Sequence, residues 1–595
     1  MINRTAIFET LISIIDIIIF IIIIIVAIFL IYLLFLKIQN KKKITLNKRN
    51  ILLSIKEKIP MVNKWFVNII PRVNIWLCSD KIEKKSTENN KTNTVDLLSM
   101  VKGNIWVILS SCIVFALLLV FFIIAFPIVP FTTDDWADIG LLTHYPLPGF
   151  NQLVPARVFP DVLITFAGLF TGYIVNPFFK DFIASASFTI ALNIALFVTV
   201  FYISLYKLFF ALSKDKLLSV FSGLLTLCLY FSFFKTQSEG SLYMLRADDH
   251  TTCFAYTLPS IYNSILVCIL MYYSAKGIHI SFNTLGRKTF ISLTTALYFA
   301  IFSVLYSGII LAAYCFFVLI INIIQKIKLR NEFFTLLIII GFFVYMYFEY
   351  TGDRAQDYNV SKSFFSLEYI NRCQNSIYFL KSLIRQINIE ILFVSITVNS
   401  FALILLLLNI KKDRSKPIIK TGLISLLSSI SLIPAMIFIT AKISPYHASR
   451  LMFMYCIFFY YILFTILSLI YIMIRIRKLI IFLPLVLLCL FMKMADSRVP
   501  YMDQEDWRRF YSDRPMRTPM KRELYNMWLE QIVSADRNGE ESVTIRIPKS
   551  SDPNGWPILT GHEWRFSHTL FALGITSRRM NIIYQPDQEI TESLY

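Results

Sequence analysis

The chain has 595 residues, 56% of them hydrophobic and only 16% charged, with a mean hydropathy of +0.63. Soluble domains carry about a quarter charged residues, so a water-soluble fold is excluded and the apolar excess has to lie in lipid. The formal net charge of +20 does not indicate nucleic acid, because the basic residues cluster in short loops between apolar runs and do not interleave with aromatics on one face.

The first apolar run, roughly 7–36, is too long for a signal h-region and lacks a small-residue cleavage site, so it is predicted to remain as an anchor. The basic segment 37–104 follows, with "KIQNKKKITLNKR" and "KIEKK" and a polar linker at 80–97. Further runs at about 105–128, 182–206, 216–234, 258–274, 289–305, 309–324, 333–349, 389–409, 419–441, 451–474 and 479–495 have the length needed to cross a bilayer as helix. About twelve spans are therefore predicted. Alternation from a cytoplasmic 37–104 puts "SKDK", "GRK", "KIKLR", "KKDRSK" and "RIRK" inside, and each is basic, as the positive-inside rule requires. The outside loops are then 129–181, 235–257, 350–388, 442–450 and the tail. After about residue 495 the pattern changes to a small α/β unit: a helix near Met516–Ala535, a strand at "VTIRIP", a helix through "WRFSHTLFALGI" and a strand at "MNIIYQPD". The nine cysteines show no metal spacing; a Cys253–Cys373 disulfide is one option for two thiols that both face outside.

The expected architecture is an all-α polytopic membrane protein with a small extracytoplasmic C-terminal α/β domain. It divides into an anchor (1–36), a basic segment (37–104), a membrane domain (105–495) and a tail domain (496–595).

Candidate chemistry concentrates outside. "FPIVPFTTDDWADIG" ends a span with Pro127 and Pro130 and then presents Asp134 and Asp135. Close carboxylates push one pKa upward and make a better base, although a solvated acidic loop fits the pair equally well. The stretch from about Asp161 to Tyr173, headed by Arg157, is apolar but short for a span and reads as a helix in the interface; the guanidinium fork of Arg157 suits phosphate. Glu239, Arg246, Asp248, Asp249 and His250 share one loop. Asp248, Asp249 and His250 have donor types for a divalent cation, but their spacing is not specific. Arg354, His447 and Arg450 add cations near the outer ends of spans, where a snorkelling arginine is the ordinary alternative. No Walker loop, GxGxxG, HExxH or GxSxG is present.

Paired aspartates in the first outside loop, an Arg-headed interfacial helix and many following spans resemble the GT-C class of integral membrane glycosyltransferases. The resemblance is greatest to bacterial O-antigen glucosyltransferases of the serotype-conversion type. The residues that carry it are Asp134-Asp135, "VPAR" ending at Arg157, "NPFFKDF" from Asn176, "YTLP" at Tyr256–Pro259 and "PYHASRLMF" at Pro445–Phe453, over roughly 105–460. It implies a multi-pass enzyme of the bacterial cytoplasmic membrane with its C-terminus outside. Its partners would be a polyprenyl-phosphate-linked sugar, a glycan acceptor and the bilayer, with no nucleic acid. Asp135 or Asp134 would act as general base, Arg157, Arg354 and Arg450 would meet the donor phosphate, and a divalent cation stays an open alternative. Rival readings are an O-antigen polymerase- or ligase-like enzyme and a lipid-linked-sugar flippase or transporter; the few charges within the spans (Lys207 is one) weigh against an ion-coupled carrier.

Overall fold

The computed structural model describes residues 97–593 except 126, 141–146, 149–155, 235–248, 279, 281, 326–332, 353–366, 410–415, 443–446, 497–517 and 550–557. The anchor at 7–36 and nearly all of segment 37–104 lie outside the described residues. The chain divides into two units, Met1–Asn104 and Ile105–Tyr595, and the candidate site belongs to the second.

The fold is mostly helical. Among the described residues nine helices are long and apolar enough to cross a membrane, so the chain is a multi-pass helical protein. The expected spans near 216–234, 289–305 and 479–495 form shorter helices, Lys216–Ser232, Arg287–Ile301 and Leu483–Asp496. Some buried polar groups pair between helices: the Tyr202 hydroxyl donates to Ser110 Oγ at 2.7 Å, and Asn263 Nδ2 donates to the Ala300 carbonyl at 3.2 Å.

The elements that matter for the site are α1 (Leu97–Val120), α2 (Thr133–Gly140), α3 (Val158–Phe179), α4 (Phe182–Ser213), α5 (Lys216–Ser232) and α6 (His250–Ala275). Two Lys-Asp pairs make corners of one type. Lys180 and Lys214 end α3 and α4 in the left-handed conformation (φ 54° and 60°). Asp181 and Asp215 then cap the next helices, accepting from the amides of Ala184 at 2.9 Å and Leu218 at 3.0 Å.

The helix α3 has the length and composition of a span, yet both its ends meet the same short element. Arg157, at its start, reaches Asp138 of α2, and Phe182, just beyond its end, stacks on Trp136 of α2 with ring centroids 5.9 Å apart. Both ends of α3 are thus tied to α2, which also packs at mid-helix, where Gly168 lies against the Ile139 carbonyl. The exposed apolar stripe of α3 is Phe166, Phe170, Tyr173, Ile174 and Phe178.

The C-terminal part folds as α7 (Thr518–Arg537), β1 (Ser542–Pro548), α8 (Glu563–Ala572), β2 (Asn581–Asp587) and α9 (Gln588–Ser593). The strands pair in parallel, from Ser542 opposite Asn581 to Pro548 opposite Asp587, with α8 as the crossover. A two-stranded sheet is marginal alone, and here it shares a core with the first loop of the membrane part. Tyr525, Trp528, Phe566 and Leu570 bury together with Phe131, Trp136 and Phe182. Trp136 sits 5.2 Å from the ring of Tyr525 and 4.3 Å from that of Phe566. Polar contacts fix the docking: Tyr525 Oη donates to the Phe131 carbonyl at 2.6 Å, the Leu559 amide to Thr133 Oγ1 at 2.9 Å, and Thr569 Oγ1 to the Trp136 carbonyl. Arg522 pairs with Asp181 at 2.5 Å. Glycine makes the close approaches possible. A Cβ at Gly140 would run into Thr569, and one at Gly168 into the Ile139 carbonyl.

Candidate functional site

The first-loop helix α2 begins with a capping box. The Asp135 amide donates to Thr132 Oγ1 at 3.0 Å. The Asp135 carboxylate reaches back to accept the amides of Thr132 at 2.9 Å and Phe131 at 2.7 Å through Oδ2. This is the reciprocal N-cap exchange, with Asp in the place usually held by Glu. Its other oxygen accepts the Thr251 amide at 2.7 Å, tying α2 to the start of α6. Asp135 is fully buried. Burial pushes its carboxyl above the usual range, against the pull of the backbone amides.

Adjacent residues point apart on a helix, so Asp134 faces elsewhere. It is 48% exposed and pairs with Arg565 Nη1 of α8 at 3.2 Å. One turn further on, Asp138 shares the Asp134 face. Its side chain is 14% exposed, and its carboxylate lies 3.7 Å from Arg157 Nη2. Burial is the main reason its pKa is pushed up to about 7; Arg157 opposes the rise, while Asp161, Asp134 and Asp135 add to it.

Arg157 immediately precedes α3, whose first two amides, those of Val158 and Phe159, donate to the Phe302 carbonyl at 3.1 and 2.9 Å. That carbonyl anchors the helix start and so places Arg157. The Arg157 Nε lies 2.7 Å from Asp161 Oδ1, one turn along the same helix. Burial works against the guanidinium charge, but Asp161 and Asp138 outweigh it and hold the group protonated. The first turn of α3 also favours an acidic side chain at Asp161. The helices α2, α3 and α6 thus bring together Asp138, Arg157 and Asp161, with Tyr256 close enough to act on the Arg157 charge.

Of the other predicted residues, Asp249 and His250 are described, both at the start of α6. Asp249 caps the start of α6, accepting from the Thr252 amide. His250 is buried with its ring stacked on Phe254, centroids 4.8 Å apart. Asp248, Glu239, Arg246 and Arg354 lie outside the described residues; His447 and Arg450 belong to the helix His447–Arg475, but their side chains are not described. No three His, Cys, Asp or Glu side chains come together to hold a metal among the described residues. Cys253 and Cys373 are free thiols, the first buried, so the disulfide option is not realised.

Asp138 and Asp161 were not among the sequence candidates for chemistry. The signal for Asp138 was its four-residue spacing from Asp134, and for Asp161 its four-residue spacing from Arg157. No family model, curated protein or solved structure matches the chain.

Proposed function

We propose that the chain is a GT-C-type glycosyltransferase that moves a sugar from a polyprenyl-phosphate donor to a surface glycan or its lipid-linked precursor, on the outer side of a bacterial cytoplasmic membrane. The observation that carries this reading is Asp138. It is a partly exposed carboxylate with its pKa pushed up to about 7, beside a long apolar helix that this reading lays along the lipid boundary. A donor whose lipid stays in the bilayer holds its phosphate at that boundary, so an acceptor base has to wait there.

In this reading Asp138 takes the proton of an acceptor hydroxyl as its oxygen attacks the anomeric carbon. The bond from that carbon to the phosphate oxygen breaks, its electron pair leaves with the phosphate, and the configuration inverts. A base with a pKa near the working pH is the efficient choice. Arg157, already oriented by Asp161, offers its terminal nitrogens to the departing phosphate. Asp135 takes no part in the chemistry: its carboxylate is occupied by three backbone donors, and its task is to shape the helix that carries Asp138. The test is mass spectrometry of surface glycans from cells carrying Asp138→Asn in place of the native gene. Loss of one hexose from the glycan, with protein level unchanged, supports the proposal; an unaltered glycan refutes it.

A further inference from the structure

The tryptophan at the start of α8 is unlike the other large aromatics of the C-terminal part. Trp528, Phe566 and Tyr584 are buried in its core, whereas Trp564 is 57% exposed. It stands in a charged setting. Arg565 lies beside the indole, its guanidinium carbon 5.7 Å from the ring centroid, and the same guanidinium pairs with Asp134 of α2. One turn along α2 from Asp134 comes Asp138. A flat apolar ring, a donor fork and a carboxylate therefore adjoin one another at the seam between the C-terminal part and the first loop, on the approach to the candidate base.

We infer that this seam is a saccharide-binding subsite, with Trp564 as its platform, and that it holds the acceptor glycan. The inference rests on the glycosyltransferase reading for the word acceptor, though not for the binding. A pyranose has an apolar face of C–H groups and an equatorial rim of hydroxyls. An exposed indole offers the first a rigid, polarisable surface at low entropic cost. Arg565 and Asp134 offer the second charge-assisted hydrogen bonds. Both charged groups keep capacity for this, since their single contact at 3.2 Å engages one nitrogen and one oxygen.

Lipid is the other medium in which an exposed tryptophan is at home. The orientation of α8 argues against it here. The far end of α8 meets the exposed apolar stripe of α3, where Tyr173 Oη donates to the Ala572 carbonyl at 2.8 Å. Trp564 lies eight residues back, about 12 Å along the helix axis, with Asp134 and Arg565 for company.

The experiment uses the full-length protein in lipid nanodiscs without any donor lipid. Saturation-transfer NMR is recorded with maltotriose, chitotriose and mannotriose, for the native protein, Trp564→Ala and Trp564→Phe. The native protein should transfer saturation to ring protons of at least one trisaccharide. Trp564→Ala should weaken that binding at least about tenfold, and Trp564→Phe, which keeps a platform, should stay within about threefold of native. No transfer to any of the three, or equal binding by Trp564→Ala, overturns the subsite. So does quenching of Trp564 emission by chain-brominated lipid, identified as the quenchable signal lost in Trp564→Phe, because it would place the ring in the bilayer. No sugar donor is present, so the outcome is separable from that of Asp138→Asn. Binding without transfer would leave the subsite standing and remove the enzymatic reading; transfer without Trp564-dependent binding would do the reverse.

Discussion

Replacing Asp135 by alanine tests its capping role separately from the proposed base, Asp138. The substitution leaves the amides of Phe131, Thr132 and Thr251 without their acceptor in a fully buried position. Each unsatisfied donor costs about 1–3 kcal/mol, offset in part because the buried carboxylate no longer has to be desolvated. A net loss of about 3 kcal/mol in local stability results, equivalent to about a 100-fold rise in the local opening constant at 1.36 kcal/mol per tenfold. Hydrogen exchange followed by mass spectrometry on the protein in nanodiscs reads this directly. Peptides covering 127–140 and the start of α6 should exchange about 100-fold faster in Asp135→Ala, while peptides from the helix Leu305–Ile324 should be unchanged. Asp138→Asn should leave all of them within threefold of native. A change of less than threefold in Asp135→Ala would refute the capping account and return Asp135 to the candidate bases.

The same geometry sets four other expectations. The rate of transfer should rise with pH through a midpoint near the Asp138 pKa of about 7, because the base works deprotonated; Arg157→Gln removes the cation that favours the charged form and should move that midpoint upward. The matching stability effect has the opposite sign: with its folded pKa raised above the ordinary 3.8, Asp138 favours the fold at acid pH, and that contribution is lost as pH rises toward 7, measurable as a falling denaturation midpoint. Trp136→Ala empties a site among Phe182, Tyr525 and Phe566 and should cost about 3–5 kcal/mol, seen as release of the C-terminal part to limited proteolysis while the membrane helices stay protected. Gly168→Leu would force α2 away from α3 at the Ile139 carbonyl and should abolish transfer without preventing membrane insertion, checked by a fluorescent C-terminal fusion.

Local pattern carried much of the architecture. The alternation in "VTIRIP" and the apolar faces around it placed the C-terminal helices and strands to within a few residues of Thr518–Arg537, Ser542–Pro548, Glu563–Ala572 and Asn581–Asp587, because each of these buries one face against its neighbours. Run length identified most of the long helices. Composition does not separate crossing from lying flat for α3, since lipid contacts one face in either case; the contacts of Asp138 with Arg157 and of Trp136 with Phe182 are what favour the flat reading. The aspartate pair was visible, but its division of labour was not. Thr132-x-x-Asp135 is a capping pattern, and it engages the Asp135 carboxylate with backbone amides while the helix it starts brings Asp138 near Arg157. The docking of Tyr525 on Phe131 joins residues 394 positions apart, and nothing local in either segment encodes it. For the same reason Trp136 is not legible in its own loop: it is a core residue of a unit whose other half comes at the end of the chain.

Whether Asp138 is the base for sugar transfer at the lipid boundary can be decided with purified protein in nanodiscs. Synthetic polyprenyl-phosphate hexoses are supplied with an oligosaccharide acceptor, and release of polyprenyl phosphate is followed together with formation of the glycoside. The native protein should release phosphate and form glycoside in equal amounts, and Asp138→Asn should do so at least about 100-fold more slowly with unchanged hydrogen exchange. Turnover by Asp138→Asn at the native rate, or no turnover of any donor by the native protein, would contradict that role.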